Sequence, residues 1–145
     1  TGKELWAFTV PDVAYTTEAQ VGCVASPVVG RQNAGDLVFF TVTNGAKNAT
    51  LYALSKSDGS VKWTLALTSP TISSPVAVYN AAGDAWIIQA EGTGKLHLID
   101  ALTGTEASNL QLEGNVEASP AVYRDVLVIS TTGKDQSYIY GIKLE

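Results

Sequence analysis

Three aspartates recur in matching surroundings along this 145-residue chain: Asp36, Asp84 and Asp125 each precede a hydrophobic run. Carboxylates held a few ångströms apart are the machinery of glycoside hydrolysis, one as the acid and one as base or nucleophile. These three instead occupy one repeated position just ahead of equivalent runs, which reads as turn formation and not as a catalytic pair. His97, the single histidine, stands where Tyr52 and Tyr140 stand in parallel segments, so it too reads as structural. One histidine and one cysteine leave too few soft ligands for a zinc site within a chain. The lone Cys23 cannot form an internal disulfide and reads as a small buried residue.

Two short motifs invite a closer look. Ser57-Asp58-Gly59-Ser60 has part of a calcium-loop pattern but lacks the distal bidentate glutamate, and a turn is the better reading. Asn48-Ala49-Thr50 matches a glycosylation acceptor, a pattern short enough to arise by chance. It closes a loop from Thr43 whose Asn44-Gly45 is a strong hairpin signal. No nucleophile elbow, phosphate-binding loop or dinucleotide fingerprint is present in the sequence.

The elements that would position these residues repeat. Ser26-Pro27-Val28-Val29, Ser74-Pro75-Val76-Ala77 and Ser119-Pro120-Ala121-Val122 open three units whose serines lie 48 and 45 residues apart. A period of that size marks a repeat architecture. Each unit continues with runs rich in β-branched and aromatic residues and too short for helices: 37–42, 85–90 and 126–131, then Leu51-Tyr52-Ala53-Leu54, Leu96-His97-Leu98-Ile99 and Ile139-Tyr140-Gly141-Ile142. A glycine turn leads to a fourth run: Gly2 to Trp6, Gly59 to Trp63, and Gly104 to Ser108, where serine replaces tryptophan. Four short strands per period, with both faces needing cover, make the blade of a β-propeller.

These motifs resemble the PQQ-like (pyrroloquinoline-quinone-type) β-propeller repeat: Ser-Pro-x-Val, a hydrophobic strand, Leu-Tyr-Ala-Leu, then a glycine turn and tryptophan. The resemblance covers nearly the whole chain. It implies that each tryptophan docks against the next blade on a small residue and a glycine turn, with Trp6, Trp63, Gly2, Gly59, Gly104 and Ala53 as the structural docking residues. The third contact is expected to be weaker, since Ser108 replaces a tryptophan and Leu98 the small residue.

The expected fold is all-β, with three four-stranded blades per chain in one repeat region, 1–145. A fourth strand is expected at 1–10, blades at 24–67 and 72–112, and the first three strands of a blade at 117–145. That phase suits either an excised piece of a longer propeller or two copies closing a six-bladed ring, so self-association as a homodimer is expected. The formal charge is −5 and the nine basic residues are scattered, which argues against nucleic-acid binding. No apolar stretch approaches the length of a membrane span.

The longest stretch outside the repeat is Pro11 to Ala25. Long insertions in repeat proteins map to loops on one face, often the binding face. Tyr15, Thr16, Thr17, Glu18 and Gln20 are therefore the candidate binding loop. Tyr79 and Tyr123, at the ends of first strands, are the surface aromatics to inspect. The resemblance also raises a cofactor question, because the family's quinone enzymes hold the quinone on a tryptophan platform beside an adjacent-cysteine disulfide and a calcium ion. With one cysteine and two of its three tryptophans assigned to docking, no cofactor and no metal are expected. The reading is a non-catalytic module that binds a protein partner or a glycan in an extracytoplasmic protein. The alternatives are part of a quinone-dependent dehydrogenase and a purely structural spacer.

Overall fold

The computed structural model describes residues 2–11, 13 and 21–145. They form antiparallel sheets with a single 3-10 turn at Gln32–Ala34. In the first sheet β1 (Val21–Gly22) and β2 (Val28–Val29) both pair with β3 (Leu37–Asn44), which is followed by β4 (Ala49–Ser55) and β5 (Val61–Leu67). The second sheet runs β6 (Val76–Tyr79), β7 (Ala85–Ala90), β8 (Lys95–Asp100), β9 (Glu106–Gln111). The third has β10 (Ala121–Tyr123), β11 (Val126–Thr132) and β12 (Ser137–Lys143).

The first strand of a unit is interrupted. Val21 pairs with Asn44 at the end of β3, and Val28 pairs with Phe39 nearer its start, with Ser26-Pro27 between them. Proline has no N–H to give a ladder, so the break falls there. The third sheet repeats the device: Asn115 bridges Thr132, and Ala121 pairs with Val128 beyond Ser119-Pro120.

Two cores lie between the sheets. Leu37, Phe39 and Leu51 of the first sheet meet Ala85, Ile87 and Ile99 of the second, with Trp63 and Leu65 at the margin. Ile88, Ala90 and Leu96 on the other face of the second sheet meet Leu127 and Ile129 of the third. Adjacent residues Ile87 and Ile88 thus serve opposite cores, which is why β7 shows no apolar–polar alternation. Each such fully buried side chain contributes about 1.5–3 kcal/mol.

The structure corrects several expectations. Residues 2–10 form no strand, because a strand exists only by pairing and none of the described residues offers them a ladder. The first sheet begins at Val21, before residue 24, since β1 lies inside the expected insertion. Cys23 is exposed, placed in the break between β1 and β2. The aspartates are not strictly equivalent. Leu37, Trp86 and Val126 pair with Ser55, Asp100 and Lys143, the same repeat position, so Asp84 lies one residue further from that position than Asp36 and Asp125. Five residues, Asn80 to Asp84, turn the chain from β6 to β7, against two from β10 to β11.

Candidate functional site

The inter-blade joints come first, because they place everything else. Trp6 donates from Nε1 to the Lys56 carbonyl at 2.9 Å, and Trp63 donates to the Ala101 carbonyl at 3.0 Å. Each acceptor lies three residues before a glycine with positive φ, Gly59 (φ 70°) or Gly104 (φ 74°), and each glycine lies under the indole. Such a backbone conformation favours glycine, and the close approach of the ring leaves no room for a Cβ. A second joint runs through the Ser-Pro motifs. The Ser26 N–H donates to Ser74 Oγ, and the Ser74 N–H donates to Ser119 Oγ, both at 2.9 Å. The recurrence of Ser-Pro was plain in the sequence, but its role in joining one unit to the next needed the fold.

Of the other docking residues, Ala53 is fully buried across the ladder from Trp63. Gly2 has open space where a Cβ would stand, so no ring among the described residues covers it as Trp6 covers Gly59. Tyr79 accepts from the Arg31 N–H at 2.8 Å, with the Arg31 guanidinium over its ring, whereas Tyr123 is exposed. Tyr15, Thr16, Thr17, Glu18 and Gln20 lie outside the described residues.

The groups that could do chemistry are tied into this frame. His97 is buried, with Nε2 2.9 Å from Glu91 Oε1 and Nδ1 bonded to Glu106 Oε2. Glu91, itself fully buried, also accepts from the Thr68 N–H at 2.9 Å and the Thr68 hydroxyl at 2.7 Å. Burial pushes the Glu91 pKa up, but the bonds from Thr68 and His97 outweigh it and hold the carboxyl below its ordinary value. The bond from His97 likewise lowers the pKa of Glu106. This cluster was not foreseen, because it depends on strand register and on the link from β5 to β6. Asp58 accepts from the Ser60 N–H and hydroxyl and is brought down to about 2, chiefly by the backbone bond. Asp84 accepts from Asn80, and Asp125 pairs with Lys143. Asn48, of the glycosylation pattern, accepts from Asn44 within the β3–β4 turn at 3.0 Å.

A groove of about 450 Å³ opens where turns and links from all three sheets converge. Thr43, Gly45 and Ala46 come from the β3–β4 end, Ser69 to Ile72 from the β5–β6 link, Gly92 and Thr93 from the β7–β8 turn, and Asn115 to Glu117 from the β9–β10 link. Its walls are pinned by backbone: the Gly92 N–H donates to Pro70 O at 3.0 Å and the Val116 N–H to Gly92 O at 3.1 Å. Beneath them Thr41 donates to Gln89, which donates to Ser73 O. Val21, inside the insertion, pairs with Asn44 next to Gly45, so this part of the insertion runs beside the rim of the groove. Glu117 is the one ionisable side chain among the described residues that line it.

The quinone of this fold's redox enzymes does not fit these residues. Trp6 and Trp63 each lay their rings on a glycine and spend their N–H on a carbonyl, and the sequence holds no adjacent pair of cysteines.

Successive antiparallel sheets, the second of four strands, joined by tryptophan on glycine define a β-propeller repeat protein of the PQQ-like type. Residues 1–82 match the family model described as outer membrane protein assembly factor BamB, and the chain belongs to that PQQ-like family. Among curated proteins it is similar to the beta-alanine-activating enzyme of Mus musculus, 31% identical over 102 residues, 69% of this chain. The chain spans 9% of the length of that relative and of its Danio rerio counterpart. Among solved structures it is similar to a europium-containing methanol dehydrogenase (TM-score 0.59, 14% identity, 76% of this chain and 21% of that one). It is also similar to the C-terminal WD40 domain of Sif2 (TM-score 0.54, 20% identity, 88% and 33%). Both likenesses are of fold.

Proposed function

We propose that this chain is a non-catalytic propeller module that binds another protein, or a glycan, in the groove between its sheets, and that its open sheet faces self-associate. One observation carries this reading. The buried histidine and carboxylates are consumed by contacts that hold the sheets, while the groove offers small hydroxyl, amide and apolar groups suited to recognition. The family's description as an assembly factor supports it. An extracytoplasmic setting goes with the reading.

The test is a panel of peptides and oligosaccharides titrated against the chain, with backbone amide shifts mapped. Binders are expected to move Gly45, Gly92 and Val116 and to be lost in Thr93→Arg, which fills the groove while the fold is kept. A panel whose binders map elsewhere and survive Thr93→Arg contradicts the reading.

The names of two similar proteins favour a second reading, a propeller portion of an enzyme. Quinone with calcium then raises the melting temperature. The binding-module reading expects no shift.

A further inference from the structure

The groove leaves few polar groups free to meet a ligand. Its hydroxyls are taken up by the frame: Thr71 donates to Ala90 O at 2.7 Å, Thr43 donates to Thr71 O, and Ser69 and Thr93 share a bond at 3.2 Å. Two polar side chains remain. The Asn115 amide and the Glu117 carboxylate are exposed and make no hydrogen bond or ion pair among the described residues.

These two stand together. The β9–β10 link is exposed at Asn115, buried at Val116 and exposed at Glu117, so both polar side chains leave the same side of an extended stretch, into the groove. Their backbone is held in place, Asn115 bridging Thr132 and the Val116 N–H donating to Gly92 O. The β5–β6 link adds the apolar Pro70 and Ile72, both half-buried.

This lining selects among ligands. No aromatic ring lies among the described lining residues, so a sugar has no face to stack on. With the hydroxyls already bonded, two side chains alone would answer a sugar's many donors and acceptors. No Lys, Arg or His lines the groove, so a phosphate or an acidic peptide would meet Glu117 with no counter-charge. An extended peptide needs what is present: apolar contacts, an amide that both donates and accepts toward a peptide bond, and a carboxylate for a cationic side chain. The chain's formal charge of −5 favours the same sign of ligand.

We infer that the groove takes an extended polypeptide segment, not a glycan, and that a lysine or arginine of that segment pairs with Glu117 while its backbone bonds the Asn115 amide. This rests on the groove of the proposed function and narrows its occupant. Glu117 sets specificity, attracting a basic segment and repelling an acidic one.

Amide-shift titrations of the whole chain test it. The probes are three sets of acetylated and amidated octapeptides that differ only in a central lysine, norleucine or glutamate, and a set of neutral hexasaccharides. Lysine peptides are expected to move Gly45, Gly92 and Val116 and to bind about fivefold tighter than their norleucine counterparts, the upper end for an exposed ion pair. That margin shrinks as salt is raised, and glutamate peptides bind weakest. Glu117→Gln, which removes the charge at nearly unchanged size, is expected to erase the margin and leave norleucine peptides as they were. Asn115→Ala is expected to weaken lysine and norleucine peptides alike, and unchanged affinity of both overturns the backbone contact. Equal binding of lysine and norleucine peptides in the groove, or a margin that survives Glu117→Gln, overturns the pairing and leaves the groove reading standing. Hexasaccharides that move Gly45, Gly92 and Val116 while peptides do not overturn the inference and again spare that reading. Probes that all bind elsewhere, or not at all, overturn both.

Discussion

Trp63 and Gly104 form a single joint between two sheets: a Cβ on Gly104 would stand 2.7 Å from the indole Cδ2, and the indole N–H reaches the carbonyl three residues before that glycine. Trp6 and Gly59 repeat the joint one unit earlier. Neither partner tolerates change for reasons of its own alone. The glycine is fixed by its φ and by the ring above it, the ring by the carbonyl and by Phe39, 5.8 Å away between centroids.

Gly104→Ala and Gly45→Ala separate the two causes. Both glycines have positive φ, 74° and 67°, so both substitutions carry a conformational cost of about 1–2 kcal/mol. A Cβ at Gly45 meets nothing, whereas one at Gly104 meets the indole. Urea denaturation is expected to show Gly104→Ala the more damaging by a further ~1–3 kcal/mol, the cost of overpacking. Equal losses would mean that Trp63 is not seated there.

Ser74→Ala removes the hydroxyl that accepts the Ser26 N–H, and a loss of about 1 kcal/mol is expected. Ser74→Thr keeps an acceptor and is expected to recover most of it. If alanine and threonine behave alike, the serine series does not join the units.

His97→Ala leaves Glu91 buried without one of its partners. Removing one member of a buried pair costs about 3–5 kcal/mol, read as a fall in the denaturation midpoint. A loss under ~1 kcal/mol, the size typical of exposed pairs, would contradict the buried arrangement.

Acid should act through the same cluster. Glu91 and Glu106 are held below their ordinary value of 4.5, so in mild acid the folded state binds fewer protons than the unfolded chain. Their contribution is complete above about pH 4.5 and is lost as pH falls through the folded values. Stability is expected to rise with pH across that window, and less steeply in His97→Gln, which removes the ring bonded to both carboxylates. An unchanged slope in His97→Gln would detach the cluster from acid stability.

Much of the fold was legible because its cues are local. A glycine four residues before Trp63 marks a turn and the ring beyond it, and runs such as 37–42 are too short for helices. What escaped depends on register. Asp84 resembled Asp36 and Asp125 because a longer β6–β7 hairpin displaces it by one residue, and hairpin length leaves little trace in composition. His97 shares a repeat position with Tyr52 and Tyr140 and is buried, but its partners Glu91 and Glu106 come from the end of β7 and from the neighbouring strand β9. Residues 2–10 carry a strand's sequence, yet pairing needs a second strand, which no local pattern supplies. The groove escaped as well, since its walls are links such as Ser69–Ile72, shaped by the blades they connect.

The most direct test of the joint is a double-mutant cycle on Trp63→Ala and Gly104→Ala, with unfolding free energies measured for all four chains. Trp63→Ala alone is expected to cost about 3 kcal/mol, the lower end for truncating a large aromatic side chain. With the indole gone, Gly104→Ala should lose its steric penalty and keep only the cost of its φ, giving a coupling of ~1–3 kcal/mol. Additive losses would show that the two residues do not meet, and would contradict the account of how one blade is fastened to the next.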